Sequence, residues 1–335
     1  MGSGSALSSA MAIGHAHTTQ LGNSDVVVDR VSLGTAALGG MYRSVPEDDV
    51  AELFAAAFEA GISLFDTAPQ YGHGRAEQRV GEQLRVRDRD SFTLSTKVGR
   101  VVVDNPDGDT GIFADAPPSE LRFGFDRDSI LRSLEDSLAR LGTDRIDVAL
   151  IHDPDEHVAE AINEAYPTLA QLRDEGVVDA IGVGMNQSAV PARFIEETDI
   201  DVVLLAGRYT LLDQTALDDL IPAARRSGVS IMIGGVFNSG VLVDPDGSPM
   251  FDYGPAPIEV VQRAKQLQEV CRSHGVELAQ AALAFPYREP SVATVLLGAR
   301  SGRELGQSLA MLDRCVPDDL WVELSDKGLI RELDR

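Results

Sequence analysis

The sequence has little cysteine, tryptophan or lysine: two Cys, one Trp and three Lys (Lys97, Lys265 and Lys327) in 335 residues. Cys271 and Cys315 lie far apart, each in a stretch that reads as helical. Neither a disulfide framework nor a cysteine metal site is expected, which suits a reducing, cytoplasmic setting. No apolar run approaches the ~18 residues that a membrane span needs. Basic residues are few beside acidic ones, 29 against 53, for a formal net charge of −24. So acidic a surface repels polyanions and argues against nucleic acid or an anionic membrane as partner. Nucleotide and hydrolase signatures are missing too. Gly34-Thr-Ala-Ala-Leu-Gly39 and Gly182-Val-Gly-Met-Asn-Gln187 both miss the G-x-G-x-x-G spacing, and no P-loop, H-E-x-x-H or G-x-S-x-G occurs.

What is present is alternation. Apolar residues make up 44% of the chain, enough for a large core. Short apolar or β-branched runs at 31–35, 63–68, 92–98, 146–153, 180–186, 202–207, 230–235 and 294–299 read as strands buried on both faces. Between them, 47–60, 75–85, 127–141, 158–175, 188–197, 214–227, 258–274 and 302–312 carry helical periodicity, many of them stopping at a glycine. Eight strands alternating with eight helices predict a (β/α)8 barrel of the TIM type, with a doubly wound open sheet as the alternative. Residues 1–24, rich in Gly, Ser and Ala and lacking a basic n-region, are expected to form a disordered extension rather than a signal peptide. Residues 25–335 are expected to form a single domain. Two long Pro- and Gly-containing stretches, 99–125 and 244–257, follow the third and seventh strands and are placed to cover a substrate.

Polar residues gather at the ends of three early strands, which meet at one mouth of a barrel. Asp66 closes the second strand and Tyr71 follows five residues later. Lys97 ends the third strand and His152 the fourth. A lysine at the end of an apolar strand needs a counter-charge, and Asp66 is the natural one. A neighbouring ammonium favours tyrosinate, so Lys97 is expected to lower the pKa of Tyr71. Tyr71 then serves as general acid for carbonyl reduction or general base for alcohol oxidation, with His152 orienting the reacting oxygen. His152 and His157 bracket the acidic run Asp153-Pro-Asp-Glu156, but no metal is needed to explain His152 and none is expected.

Asp66-Thr-Ala-Pro-Gln-Tyr71-Gly72 with Glu77 and Gly81, then Ser95-Thr-Lys97-Val-Gly99, then Ile151-His152, resembles the aldo-keto reductase superfamily over nearly the whole chain after about Asp25. In that family the residues at the positions of Asp66, Tyr71, Lys97 and His152 form the catalytic tetrad. Gly207-Arg-Tyr-Thr-Leu-Leu-Asp-Gln214 and Gly235-Val-Phe-Asn-Ser-Gly240 narrow the resemblance to the D-threo-aldose 1-dehydrogenase branch, with its L-fucose, galactose and pyridoxal dehydrogenases. The resemblance implies a nicotinamide cofactor, NAD with NADP possible. Its contacts would fall on Gly34, Thr35, Ala36, Asn186, Tyr209, Phe237, Asn238, Ser239, Gly240, Gly298, Ala299, Arg300, Glu304, Gln307 and Ser308, with Asn186 on the carboxamide. Substrate would meet Met41 and Tyr42. The chain departs from the family pattern at Met185, where a Ser usually precedes the Asn, and at Ala206, where a Gln is common. Near Gly235, Phe237 stands close to the place of a stacking Tyr.

Glu304 takes the helix position where members preferring NADP⁺ carry Arg, which implies NAD⁺. The expected activity is oxidation of an aldose at C1 to its lactone, with a small sugar or aldehyde as the partner molecule. The alternatives are an aldehyde or pyridoxal oxidoreductase and a non-catalytic, cofactor-sensing partner protein. Neither the sugar nor the oligomeric state is readable from the sequence.

Overall fold

In the computed structural model the described residues are 18–332, except Ser248. Eight short parallel strands close on themselves: β1 Val31–Gly34, β2 Leu64–Asp66, β3 Thr93–Val98, β4 Val148–His152, β5 Ala180–Met185, β6 Val202–Ala206, β7 Ser230–Gly234 and β8 Val292–Gly298. Each pairs with the next in sequence, and β8 pairs with β1 to complete the ring. The expected barrel is therefore the fold, and the open sheet is excluded.

Both faces of these strands are buried because helices cover the outside and side chains fill the inside. In α1, Glu47–Glu59, the residues Val50, Leu53, Phe54 and Ala57 recur at three- and four-residue steps and are the buried ones. Phe54 stacks on Phe65 of β2 with ring centroids 5.2 Å apart. Glu47, Asp48 and Asp49 occupy the first turn, where carboxylates favour the positive end of the helix. The other covering helices are α2 Arg75–Leu84, α3 Arg127–Leu141, α4 Tyr166–Asp174, α5 Ala189–Glu197, α6 Leu220–Ser227, α7 Ile258–Ser273, α8 Leu278–Ala284, α9 Gly302–Leu312 and α10 Asp318–Asp326.

Several local expectations change. The extension was expected to run to residue 24, but Thr18–Gln20 pairs with Val27–Asp29 as an antiparallel hairpin, and Leu21 beneath it is fully buried. Leu21, Val26 and Val28 join Leu64, Val148 and Val202 in one apolar cluster, so the hairpin is part of the domain. The remainder of the expected extension, residues 1–17, lies outside the described residues. The stretch expected at 158–175 is broken by a π-turn at Ala161–Ala165 before α4. Cys271 lies in α7 as expected, but Cys315 lies between α9 and α10, not in a helix. The first long loop holds a hairpin, Arg100–Asp104 with Ser119–Phe123, and the second a smaller one, Met250–Phe251 with Gly254–Pro255. No helix among the described residues is long and apolar enough to cross a membrane.

Candidate active site

Barrel register decides which side chains meet. Gly34 pairs with Asp66, Asp66 with Ser95, Lys97 with Leu150, and His152 with Gly184. Asp66, Lys97 and His152 are thereby set at the same end of three adjacent strands. Tyr71 comes from the tight loop between β2 and α2. Gly39 and Gly72 allow that loop to seat: a Cβ on Gly72 would stand 2.5 Å from the Gly39 carbonyl oxygen, and Gly72 itself has φ +63°.

The Lys97 ammonium donates to Asp66 Oδ2 at 2.7 Å and to the Thr67 carbonyl at 2.8 Å. Asp66 Oδ1 accepts from the Ser95 hydroxyl at 2.9 Å. Lys97 Nζ also lies 4.6 Å from the centroid of the Tyr71 ring, which meets the His152 ring edge-on at 5.8 Å. All four expected residues thus form one contiguous cluster, and Tyr71, Lys97 and His152 line a cavity of ≈ 480 Å³ at the barrel mouth. Among the described residues no group of His, Cys, Asp and Glu is placed to hold a metal.

The electrostatics correct one expectation. Burial lifts the Tyr71 phenol well above its ordinary value, with Asp66, Tyr253 and Asp153 adding to the effect, and Arg100 is the cation that opposes it. The expected lowering of Tyr71 by Lys97 is therefore not found, because burial of the phenol dominates. Burial drives the His152 imidazole well below its ordinary range, and Lys97 and Arg100 push the same way, so His152 is neutral near pH 7. Its Nδ1 has no hydrogen-bond partner in the protein, and its Nε2 is 3.6 Å from Asp153 Oδ2.

The loops supply groups that the sequence reading did not single out. Arg100 begins the hairpin after β3, and its Nη2 reaches Asp153 Oδ2 at 3.3 Å. Gln70, His73, Asp109, Thr110 and Tyr253 share the cavity wall with them. His73 Nδ1 lies 2.9 Å from Ser119 Oγ, which donates to the Pro117 carbonyl and so leaves the ring nitrogen to donate. The first loop is tied down by Arg79 of α2, which is 3% exposed. Its guanidinium donates to the Leu38 and Val45 carbonyls at 2.6 and 2.7 Å, to Asp115 at 2.9 Å and to Glu47. Sequence adjacency was a usable signal for two of these groups. Arg100 stands three residues beyond Lys97, and Asp153 directly follows His152.

The expected cofactor and substrate residues divide. Ala36 and Asn186, expected at the cofactor, and Met41, expected at the substrate, line the cavity with Met185, Leu204 and Ala206. Thr35 instead donates its hydroxyl to the Asp66 carbonyl, steadying the loop beside Gly34. Tyr209 is removed from the site: it is fully buried, its ring lies 5.2 Å from Phe285, and its hydroxyl is unpartnered. Phe237 packs against the core, and Asn238 is buried and holds the Gly207 carbonyl and Thr210 hydroxyl. Ser239 and Gly240 complete that turn, both with positive φ. Gly298, Ala299, Arg300, Glu304, Gln307 and Ser308 lie along the end of β8 and on α9, outside the cavity lining. Arg300 turns its guanidinium toward the Met41 carbonyl at 3.3 Å, and Tyr42, 45% exposed, stands near it. Glu304 accepts the Arg300 backbone N–H at 2.8 Å and lies 3.6 Å from Arg43.

These residues fit a nicotinamide nucleotide. Gly298 is exposed, and nothing stands within 4 Å of where its Cβ would project, so the end of β8 is open toward the first turn of α9. That N-terminal turn favours a phosphate. Asn186 presents an amide on the cavity wall beside the apolar Leu204 and Ala206.

Residues 30–327 match the sequence model of the Aldo/keto reductase family. Pyridoxal 4-dehydrogenase of Microbacterium luteolum is 36% identical over 334 residues, covering 92% of this chain and 97% of that protein. D-threo-aldose 1-dehydrogenase of a Pseudomonas species is 36% identical over 314 residues, covering 91% and 95%. Among solved structures, an aldo-keto reductase from Bacillus halodurans in its holo form superposes with a TM-score of 0.74 at 24% identity, covering 95% of this chain and 97% of that one. That structural likeness speaks to the fold.

Proposed function

The chain belongs to the aldo/keto reductase family, whose members are NAD(P)-dependent oxidoreductases, and from that premise we propose that it oxidises a cyclic aldose at C1 to the lactone, with NAD⁺ preferred. Bound nicotinamide supplies the acceptor for the C1 hydride. The chain's own residues manage the proton. Tyr71 takes it from the C1 hydroxyl in oxidation and returns it in reduction. Neutral His152 holds the same oxygen by a hydrogen bond. Asp66 and Lys97 are positioning residues that fix the floor beneath Tyr71 and keep the loop after β2 in place. Asn186 would hold the nicotinamide carboxamide.

The observation that carries the sugar reading is the set of polar side chains among the apolar ones in the cavity wall beyond Tyr71 and His152. Gln70, His73, Arg100, Asp109, Thr110 and Asp153 line it. A polyhydroxylated substrate satisfies such groups, whereas an apolar carbonyl compound would leave them desolvated and unpaired. The preference for NAD⁺ rests on Glu304, whose carboxylate repels a 2′-phosphate and can accept a ribose 2′-hydroxyl.

Pyridoxal is a second candidate substrate, favoured by the 36% identity over nearly all of pyridoxal 4-dehydrogenase. The test is reduction of NAD⁺ and of NADP⁺ measured against a panel of aldoses with pyridoxal included. Turnover of at least one aldose with NAD⁺ supports the proposal. Turnover of pyridoxal alone selects the second reading, and no turnover of either overturns both.

A further inference from the structure

Arg100 and Asp153 face each other across the mouth of the cavity, and neither is well satisfied. Arg100 enters from the root of the first hairpin, directly after Gly99. Its Nη2 makes two long contacts with Asp153, 3.3 Å to Oδ2 and 3.4 Å to the carbonyl oxygen. Its Nε is buried without a partner, and its guanidinium lies 4.8 Å from the centroid of the Phe123 ring. Asp153 is held in the left-handed region at φ +40°, which a non-glycine residue seldom adopts. Its side chain is 18% exposed, and its Oδ2 also lies 3.6 Å from His152 Nε2.

An ion pair that served only to fasten the hairpin would close to short, well-aligned bonds, as Arg79 does with Asp115 at 2.9 Å. The Arg100–Asp153 pair stays loose while strained backbone aims the carboxylate into the site, a combination that marks functional positions more than structural ones. A carboxylate beside a guanidinium offers an acceptor and a donor side by side. That is the complement of a sugar hydroxyl, which donates through its hydrogen and accepts through its oxygen. Because Asp153 Oδ2 stands 3.6 Å from His152 Nε2, the group it reaches lies next to the oxygen that His152 holds.

We propose that Arg100 and Asp153 form the specificity element of the site and read the hydroxyl on the carbon adjacent to the reacting one, C2 of a cyclic aldose. This rests on the sugar-oxidising reading above and names which part of the sugar the chain recognises. The pair discriminates between substrates and does not itself move the hydride or the proton.

The test pairs substrates that differ only at that hydroxyl: D-galactose against 2-deoxy-D-galactose, and D-arabinose against 2-deoxy-D-ribose. Each is measured as kcat/KM for the wild type and for Asp153→Ala, Asp153→Asn and Arg100→Lys. The wild type is expected to favour the 2-hydroxylated member by about tenfold or more. In Asp153→Ala that ratio should fall to about threefold or less, with Asp153→Asn in between because it can still accept a hydrogen bond. General damage to the site slows both members alike and leaves the ratio where it was. A ratio unchanged in all three variants, or a wild type indifferent to the 2-hydroxyl, overturns the proposal while leaving aldose oxidation standing. A wild type that oxidises none of the four sugars or any other aldose removes the reading on which the proposal rests.

Discussion

Lys97 Nζ donates to Asp66 Oδ2 at 2.7 Å with both side chains almost wholly buried, and the same ammonium lies 4.6 Å from the Tyr71 ring centroid. Removing one partner of such a pair leaves a buried charge without compensation, which costs about 3–5 kcal/mol. Lys97→Met should therefore lower the thermal midpoint sharply. The double variant Lys97→Met, Asp66→Asn removes both charges and should recover most of that stability without recovering turnover. If the double variant regains activity along with stability, the pair is purely structural.

The pH dependence should differ between the two directions. Burial holds Tyr71 protonated well above its ordinary range and holds His152 neutral well below its own. Reduction needs protonated Tyr71 and neutral His152, so its kcat should stay flat from about pH 6 to 9. Oxidation needs the phenolate, so its kcat should climb with pH and reach no plateau below about pH 9. An oxidation plateau near neutrality would show that Tyr71 is pulled down in the working complex, as the sequence alone suggests.

Asp153 titrates unusually for a carboxyl: burial pushes it up to about 6, with Arg100 pulling the other way. The folded protein thus holds this proton more tightly than the unfolded chain does. The folded state is penalised progressively as pH rises from about 4 through 6, and the penalty is complete above that. Asp153→Asn should consequently stabilise the fold at pH 8, by roughly 1–3 kcal/mol. The gain should be smaller at pH 5 and vanish toward pH 4. A gain that does not depend on pH would mean that the carboxylate is not the source of the penalty.

Cofactor choice is expected to turn on Glu304. Glu304→Arg should shift the kcat/KM ratio toward NADP⁺ by about tenfold or more, since it replaces repulsion of a 2′-phosphate with attraction. Its carboxylate also accepts the Arg300 N–H at the start of α9, so the same change should lower stability by about 0.5–1 kcal/mol. A wild type that favours NADP⁺ by tenfold contradicts the NAD⁺ assignment outright.

The barrel was legible because strands buried on both faces must be apolar along their whole length, and that pattern survives without any knowledge of contacts. The charge complementarity of Asp66 and Lys97 was legible for a similar reason, since a lysine inside an apolar strand demands a partner. Leu278–Ala284 was not read as a helix, because all seven residues are buried, Gln280 included, and no polar periodicity marks an outer face. The Thr18–Gln20 strand is short and polar, and only its hairpin partner reveals it. The direction of the Tyr71 shift was misjudged because sequence shows neighbouring charges but not burial, and burial dominates here. Tyr209 was expected among the cofactor contacts, yet nothing in the sequence tells that its ring is spent on Phe285. Arg100 and Asp153 follow Lys97 and His152 closely in sequence, but only the pairing of β3 with β4 brings their loops together.

The most direct test of the central claim is Tyr71→Phe, read as turnover and cofactor affinity on the same preparation. Turnover with the best aldose should fall by about 10²–10⁴-fold, the usual worth of a positioned acid–base group. The dissociation constant for NAD⁺ should stay within about twofold, because Tyr71 handles a substrate proton and the nucleotide is held elsewhere. Turnover within tenfold of the wild type, with nucleotide still bound, would contradict the assignment of Tyr71 as the proton carrier.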